Sequence, residues 1–191
     1  MAYRVHDLTT PTVTGTPVTM HGVPVGGGIV IVSALPGSGG DLHGDLDHLA
    51  SWQPAMVISV LSSTELAARG AWDLRQRVQD SGARWAHLAA SAQQAAPRAM
   101  QDLWPQVSDQ ARRALLGGGR IVLQSPGGAG RCGMVLLRLM IEAGEAPDDA
   151  QARIAQICPQ TIGTAEQIAW ALQARRSAVP FVRHLPSPRY A

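Results

Sequence analysis

Arg120-Ile-Val-Leu-Gln-Ser-Pro-Gly-Gly-Ala-Gly-Arg-Cys-Gly-Met134 carries the densest chemistry in the chain. Ile121, Val122 and Leu123 form a short apolar run of the kind that makes a buried strand. Pro126-Gly127-Gly128-Ala129-Gly130 then turns the chain. A helix begins at about Arg131, with Met134, Leu136, Leu137 and Met140 as its apolar face. A strand, a glycine turn and a helix N-terminus in that order make an anion cradle. The glycines let backbone N–H groups turn inward, and the first helical turn adds unpaired N–H groups and a partial positive charge. Arg131, six residues after Ser125, is placed to fork two hydrogen bonds onto a bound oxyanion.

Other uses of such a turn fit less well. A nucleotide-binding loop of the Gly-Lys-Ser/Thr kind is excluded, because the chain has no lysine. Gly128, Gly130 and Gly133 match the spacing of a dinucleotide fingerprint. That fingerprint needs an acidic residue ending a second strand about 20 residues on, and the segment Gly144 to Asp149 reads instead as a turn between helices. A Ser-dependent hydrolase is a remote alternative, with Ser125, Asp148 or Asp149, and His184 in Ser-acid-His order. The nucleophile elbow requires glycine two residues either side of the serine; Gly127 satisfies one place and Leu123 fails the other.

Working outward, residues 1–28 are rich in Thr, Pro, Val and Gly and read as an extended arm or a hairpin, with Val13 and Val18 either side of Gly15-Thr-Pro. Ile29-Val-Ile-Val-Ser33 is a buried strand. A helix follows with Leu42, Leu46, Leu49 and Ala50 on one face. Met56 to Val60 is the next strand, and Ser62, Ser63, Thr64 and Glu65 read as the cap of a short helix. A helix over 72–81, a strand over 84–88 and a long helix from Pro97 to about Leu116 precede the cradle. Three helices follow it, and residues 177–191 read as a proline-rich tail. Strands alternating with helices, then an all-helical C-terminal third, predict one α/β domain over 29–176 with a mainly parallel central sheet. Ligands of such sheets sit at the carboxyl ends of the strands, where Ser125 to Arg131 falls.

The cradle resembles the signature loop of the cysteine-dependent protein tyrosine and dual-specificity phosphatases, which reads His-Cys, five residues, Arg, then a small residue. Gly127, Gly128, Gly130 and Arg131 match its glycines and phosphate-binding arginine. Further likeness runs over roughly residues 29–172 and resembles the branch related to cyclin-dependent kinase inhibitor 3. It is carried by Leu35-Pro-Gly37 with Asp41, Asp45, Leu46 and Leu49; by Val57 to Leu61 with Glu65-Leu66; by Trp85, His87 and Leu88; and by Pro159, Ile162, Thr164, Glu166 and Gln167. The resemblance implies a dual-specificity phosphatase-like α/β fold and a phosphate site made by Ser125, Pro126, Gly127, Gly128, Ala129, Gly130 and Arg131.

It also implies what is missing. The family attacks phosphorus with a thiolate and protonates the leaving oxygen with an aspartic acid. Gln124 stands in the place of the family histidine and Ser125 in that of the nucleophile. The segment Ala89-Ala-Ser-Ala-Gln-Gln-Ala-Ala96, where the acid loop is expected, has no carboxylate. The expectation is a catalytically inactive pseudophosphatase that binds phosphate monoesters or other oxyanions. The alternative is an active phosphatase whose native residue 125 is cysteine, with serine an engineered replacement. Gln124, Ser125 and Ser91 also read as ordinary satisfied polar groups.

The remaining chemistry is sparse. Net charge is +2, with sixteen basic residues, all arginine, dispersed along the chain. That argues against nucleic acid or an anionic membrane as partner; the resemblance implies a phosphorylated ligand, small or protein-borne. Cys132 and Cys158 form neither a disulfide framework nor a metal pattern, so a reducing, cytoplasmic setting and no cofactor are expected. Cys132 reads as a buried small hydrophobe rather than a reactive thiol. His43 and His48 are five apart, the wrong spacing for two ligands on one helical face.

Overall fold

The computed structural model describes residues 15–68, 71–127 and 130–176. Among them run β1 (Met20–Val25), β2 (Gly28–Ala34), α1 (Leu42–Ser51), β3 (Met56–Val60), α2 (Ser63–Ala68), α3 (Ala71–Asp80), β4 (Arg84–Leu88), α4 (Arg98–Leu116), β5 (Arg120–Ser125), α5 (Gly130–Glu142), α6 (Pro147–Ile157) and α7 (Ala165–Leu172). A single 3₁₀ turn, Pro159–Thr161, joins the last two helices.

The strand order is β1-β2-β5-β3-β4, with β2, β5, β3 and β4 parallel and β1 antiparallel at one edge. The inner strands β5 and β3 are buried along nearly their whole length because helices cover both faces of the sheet. α1 and α3 pack through Leu49 and Val78 against Ile31, Val57 and Val122. On the opposite face α4, α5, α6 and α7 close over Val32, Ile58 and Leu123. Glu65 caps α2 as the sequence suggests: its carboxylate accepts from Ser62 N at 2.8 Å, while Ser62 Oγ accepts from Glu65 N at 3.2 Å.

Three local expectations change. The hairpin forms around Gly26-Gly27, at φ 59° and 98°, rather than around Gly15-Thr-Pro. Paired residues at positive φ make the turn whose twist suits two adjacent antiparallel strands. β1 is therefore part of the sheet; Val13 lies outside the described residues. On α1, Leu49 is buried with Asp45, while Leu42 is 42% exposed. Asp45 is buried because its carboxylate accepts from Val18 N at 3.0 Å and Gly37 N at 2.8 Å, tying the entry to β1 to the turn after β2. On α4, Leu103 faces solvent and Met100, Trp104, Val107, Ala111 and Leu115 face the core.

α5 is the central element of the helical side, buried along all but one of its 13 residues. Gly133 is what lets the chain after α6 lie against it. A Cβ on Gly133 would stand 1.6 Å from the carbonyl oxygen of Thr161. At its far end Glu142 is buried between helices. It accepts from Trp104 Nε1 at 2.8 Å, from Ser108 Oγ and from Arg138 Nε at 3.0 Å. Arg138 in turn donates to Trp170 O at 2.8 Å and lies 4.3 Å from the centre of the Trp170 ring. A buried carboxylate is thereby held by α4, α5 and, through Arg138, α7.

Candidate anion site at the end of β5

β5 runs two residues beyond its apolar run, so Gln124 and Ser125 are strand residues, both buried. The side-chain period of two sends them to opposite faces. Gln124 faces α1 and α3, in register with Ser33 of β2 and Ser59 of β3, and Ser59 is in register with His87 of β4. Its Nε2 donates to Ser59 Oγ at 2.8 Å, and Trp85 Nε1 donates to the same oxygen at 3.0 Å. Gln124 Oε1 is buried without a hydrogen-bond partner.

Ser125 faces α5. Its hydroxyl accepts from the thiol of Cys132 at 3.2 Å, and no histidine or carboxylate bonds to it among the described residues. Burial pushes the Cys132 thiol up to about 11, against the opposing pulls of Ser125 and of the Arg131 charge. Cys132 is accordingly a protonated core residue at neutral pH, as expected. The hydrolase alternative finds no support: Asp148 and Asp149 are exposed in the first turn of α6, and His184 lies outside the described residues.

After Ser125 the chain turns through Pro126 and the exposed Gly127 and enters α5 at Gly130. Gly128 and Ala129 lie outside the described residues. Arg131 is in the first turn of α5 and only 4% exposed. Its two terminal nitrogens each have two acceptors. Nη1 donates to Glu65 Oε2 at 2.7 Å and Ala90 O at 3.2 Å; Nη2 donates to Glu65 Oε1 at 3.3 Å and Pro126 O at 3.1 Å. The fork foreseen for an oxyanion is turned onto Glu65, and Nε alone of the guanidinium nitrogens lacks a partner among the described residues. A charge this buried needs such compensation. In return, the hydrogen bond from Arg131 holds the Glu65 carboxyl at about 2, well below its usual value of 4.5.

The segment between β4 and α4 passes directly over this arginine. Ala90 O meets Arg131, Gln167 Nε2 donates to Ala92 O and Gln94 O at 3.1 Å each, and Gln101 Nε2 donates to Ala96 O at 2.8 Å. Gln167 also completes a capping box with Thr164 at the start of α7. Neither the pairing of Glu65 with Arg131 nor the anchoring of the overlying segment by Gln167 has a local sequence signal, since the partners lie 66 and 73–75 residues apart. From sequence, Glu65 reads as a helix cap, and the segment around Gln167 carries only the family resemblance.

Solved structures of similar shape include the kinase associated phosphatase with its catalytic-site cysteine substituted by serine. It has 18% identity and a TM-score of 0.68, over 82% of this chain and 93% of that one. The fold is that of the protein tyrosine and dual-specificity phosphatases. Human tyrosine phosphatase-like serine/threonine/tyrosine-interacting protein shares it at 12% identity and TM-score 0.59, over 81% of this chain and 93% of that one. A putative protein tyrosine phosphatase from Leishmania major does so at 15% and 0.61, over 84% and 100%. No protein-family model and no curated protein matches the chain. In this phosphatase fold, Ser125 ends the central strand, Arg131 opens the following helix, and the segment after β4 forms the rim above them. Among the described residues no helix is long and apolar enough to cross a membrane, and no cluster of His, Cys, Asp or Glu is arranged to hold a metal.

Proposed function

We propose that this chain is a phosphatase-like protein without catalysis, whose loop after β5 binds phosphate monoesters or related oxyanions. One observation carries the reading. The segment over Arg131 is anchored in place by Gln167, Gln101 and Arg131 itself, yet it holds no carboxylate from Ala89 to Pro97. The rim that would carry the proton donor for a leaving oxygen is present, but this segment supplies none. Glu65, the carboxylate beside Arg131, is ionised at neutral pH and has no proton to give. Among the described residues Ser125 has no base to activate its hydroxyl, and Cys132 is protonated. The binding half remains: a glycine turn, the N-terminus of a 13-residue helix and Arg131 Nε.

Thermal-shift titration with phosphate, vanadate and tungstate, alongside a p-nitrophenyl phosphate assay, tests this. Because Arg131→Ala would strand Glu65, the control variant is the double change Arg131→Met with Glu65→Gln. The expected result is a rise in melting temperature for the native chain, none for the control, and no turnover. At 100 times its dissociation constant a ligand specific to the folded state adds about 2.7 kcal/mol. A chain that hydrolyses the ester, or that ignores all three anions, refutes the proposal.

The second reading, an active phosphatase with cysteine at position 125, is favoured by the placement of residue 125 at the strand end beside α5. It predicts that Ser125→Cys hydrolyses p-nitrophenyl phosphate, whose leaving group departs without a proton. Phosphoserine should lag by at least about 100-fold, the usual worth of a general acid.

A further inference from the structure

A cleft of about 210 Å³ lies on the helical side, between α5, α6 and α7. Met134 and Leu137 of α5 and Ile154 of α6 form its floor, each at most 4% exposed. Its rim carries Ala155 of α6, Ile168 of α7 and Ile162, which follows the 3₁₀ turn and is 53% exposed. Ile168 and Leu172 are one turn apart on the same face of α7. Leu172 is 41% exposed, so an aliphatic stripe leads from the end of α7 to the mouth of the cleft. The volume is below the roughly 300–1,000 Å³ of small-molecule sites. It suits one large side chain.

The chain carries such a side chain shortly beyond α7. Residues 177–191 lie outside the described residues, and their sequence opens Ser177-Ala-Val-Pro-Phe-Val182. Phe181 is the one phenylalanine of the sequence, within the apolar run Val179 to Val182. Backbone hydrogen bonds from Gln173 N to Trp170 O and from Ala174 N to Ala171 O continue the coil of α7 to Ala174. Arg176 is then at most about 17 Å from Ile168, and the five residues from Arg176 to Phe181 span up to about 18 Å. The ring is within reach of the cleft. Proline and the residue before it favour extended backbone, which lays side chains along a groove. A tether this short supplies an effective concentration in the millimolar range, so a shallow contact suffices.

We propose that the segment after α7 turns back along Leu172 and Ile168 and seats the Phe181 side chain in this cleft, so that the chain's own residues 179–182 cover the aliphatic surface between α5, α6 and α7.

Cross-linking within the full chain tests this. One chain carries Ala155→Cys at the rim and Val182→Cys beside the ring, and is treated with a short bis-maleimide. A second carries Gln156→Cys with Val182→Cys, the thiol now on the side of α6 turned from the cleft. Cys132 and Cys158 are wholly buried and do not compete. The first pair is expected to join into a single-chain product at least about tenfold faster than the second, the worth of one buried phenyl ring. Its rate should not depend on protein concentration. Adding Phe181→Ser, or Ile162→Asp at the exposed rim, should remove the advantage. Equal rates for the two pairs, or an advantage that survives either change, overturn the proposal. A product of two joined chains whose yield grows with concentration makes a second copy the occupant, and overturns it as well.

Discussion

The thiol of Cys132 and the hydroxyl of Ser125 lie 3.2 Å apart, in a contact between the end of β5 and the first turn of α5. The signature this loop resembles has its thiol at the strand end and a small residue after the arginine. Here the strand end has a hydroxyl, and the thiol sits one residue past Arg131. Position decides what the sulfur does: buried among apolar side chains, it keeps its proton.

Both cysteines are therefore expected to be silent toward a thiol reagent in the native state. Cys132 and Cys158 are wholly buried, and burial raises both thiols. Ellman's reagent at pH 8 should titrate no thiol rapidly in native protein and both in denaturant. Fast labelling of Cys132 would mean that the helix N-terminus reaches the thiol after all.

The pairing of Glu65 with Arg131 makes acid stability depend on one carboxylate. Its folded value, about 2, is below the ordinary 4.5. The pair's contribution is thus complete above about pH 4.5 and is lost as pH falls through 2. Denaturant unfolding of native protein and Glu65→Gln should differ most at neutral pH and converge toward pH 2. Parallel curves across that range would show that the pair does not hold Arg131.

The network around Glu142 is a second site where one change should be felt throughout. Arg138→Met removes a partner of a buried carboxylate, the bond to Trp170 O and the stacking on Trp170. Breaking a buried pair from one side costs roughly 3–5 kcal/mol. Urea melts should show a loss of that order, and a loss under 1 kcal/mol would place Glu142 in contact with water.

Gly133→Ala is expected to be worse than its single methyl suggests. The added carbon would meet the Thr161 carbonyl, a backbone atom that cannot rotate aside. Overpacking typically costs about 1–3 kcal/mol, and a clash with backbone belongs at the upper end, read as a fall in urea midpoint. Near-native stability would show that the 3₁₀ turn shifts freely off α5.

Much of this was legible because it is local. Ile29 to Val32, Met56 to Val60 and Ile121 to Leu123 are apolar runs bounded by turn residues, and each became a buried strand. Ser62 and Glu65 are three residues apart, and their capping box could be read from that spacing. The exchange of partners at Arg131 was not legible, because Glu65 is 66 residues away and no local rule links them. The hairpin turn at Gly26 and Gly27 was less legible, because Gly15-Thr-Pro offers a competing turn signal and only the sheet pairing of β1 with β2 decides between them. Arg138 and Glu142 did leave a trace: an i,i+4 ion pair on a helix that is otherwise apolar from Met134 onward.

The anchored segment above Arg131 has a kinetic meaning. With Gln167, Gln101 and Arg131 fastening its carbonyls, the entrance behaves as a fixed doorway and not as a swinging door. On the proposed reading, an anion would arrive and depart by one route with no closing step between, so that its residence time would be set by the contacts inside and the site would suit rapid exchange with a changing concentration of ligand.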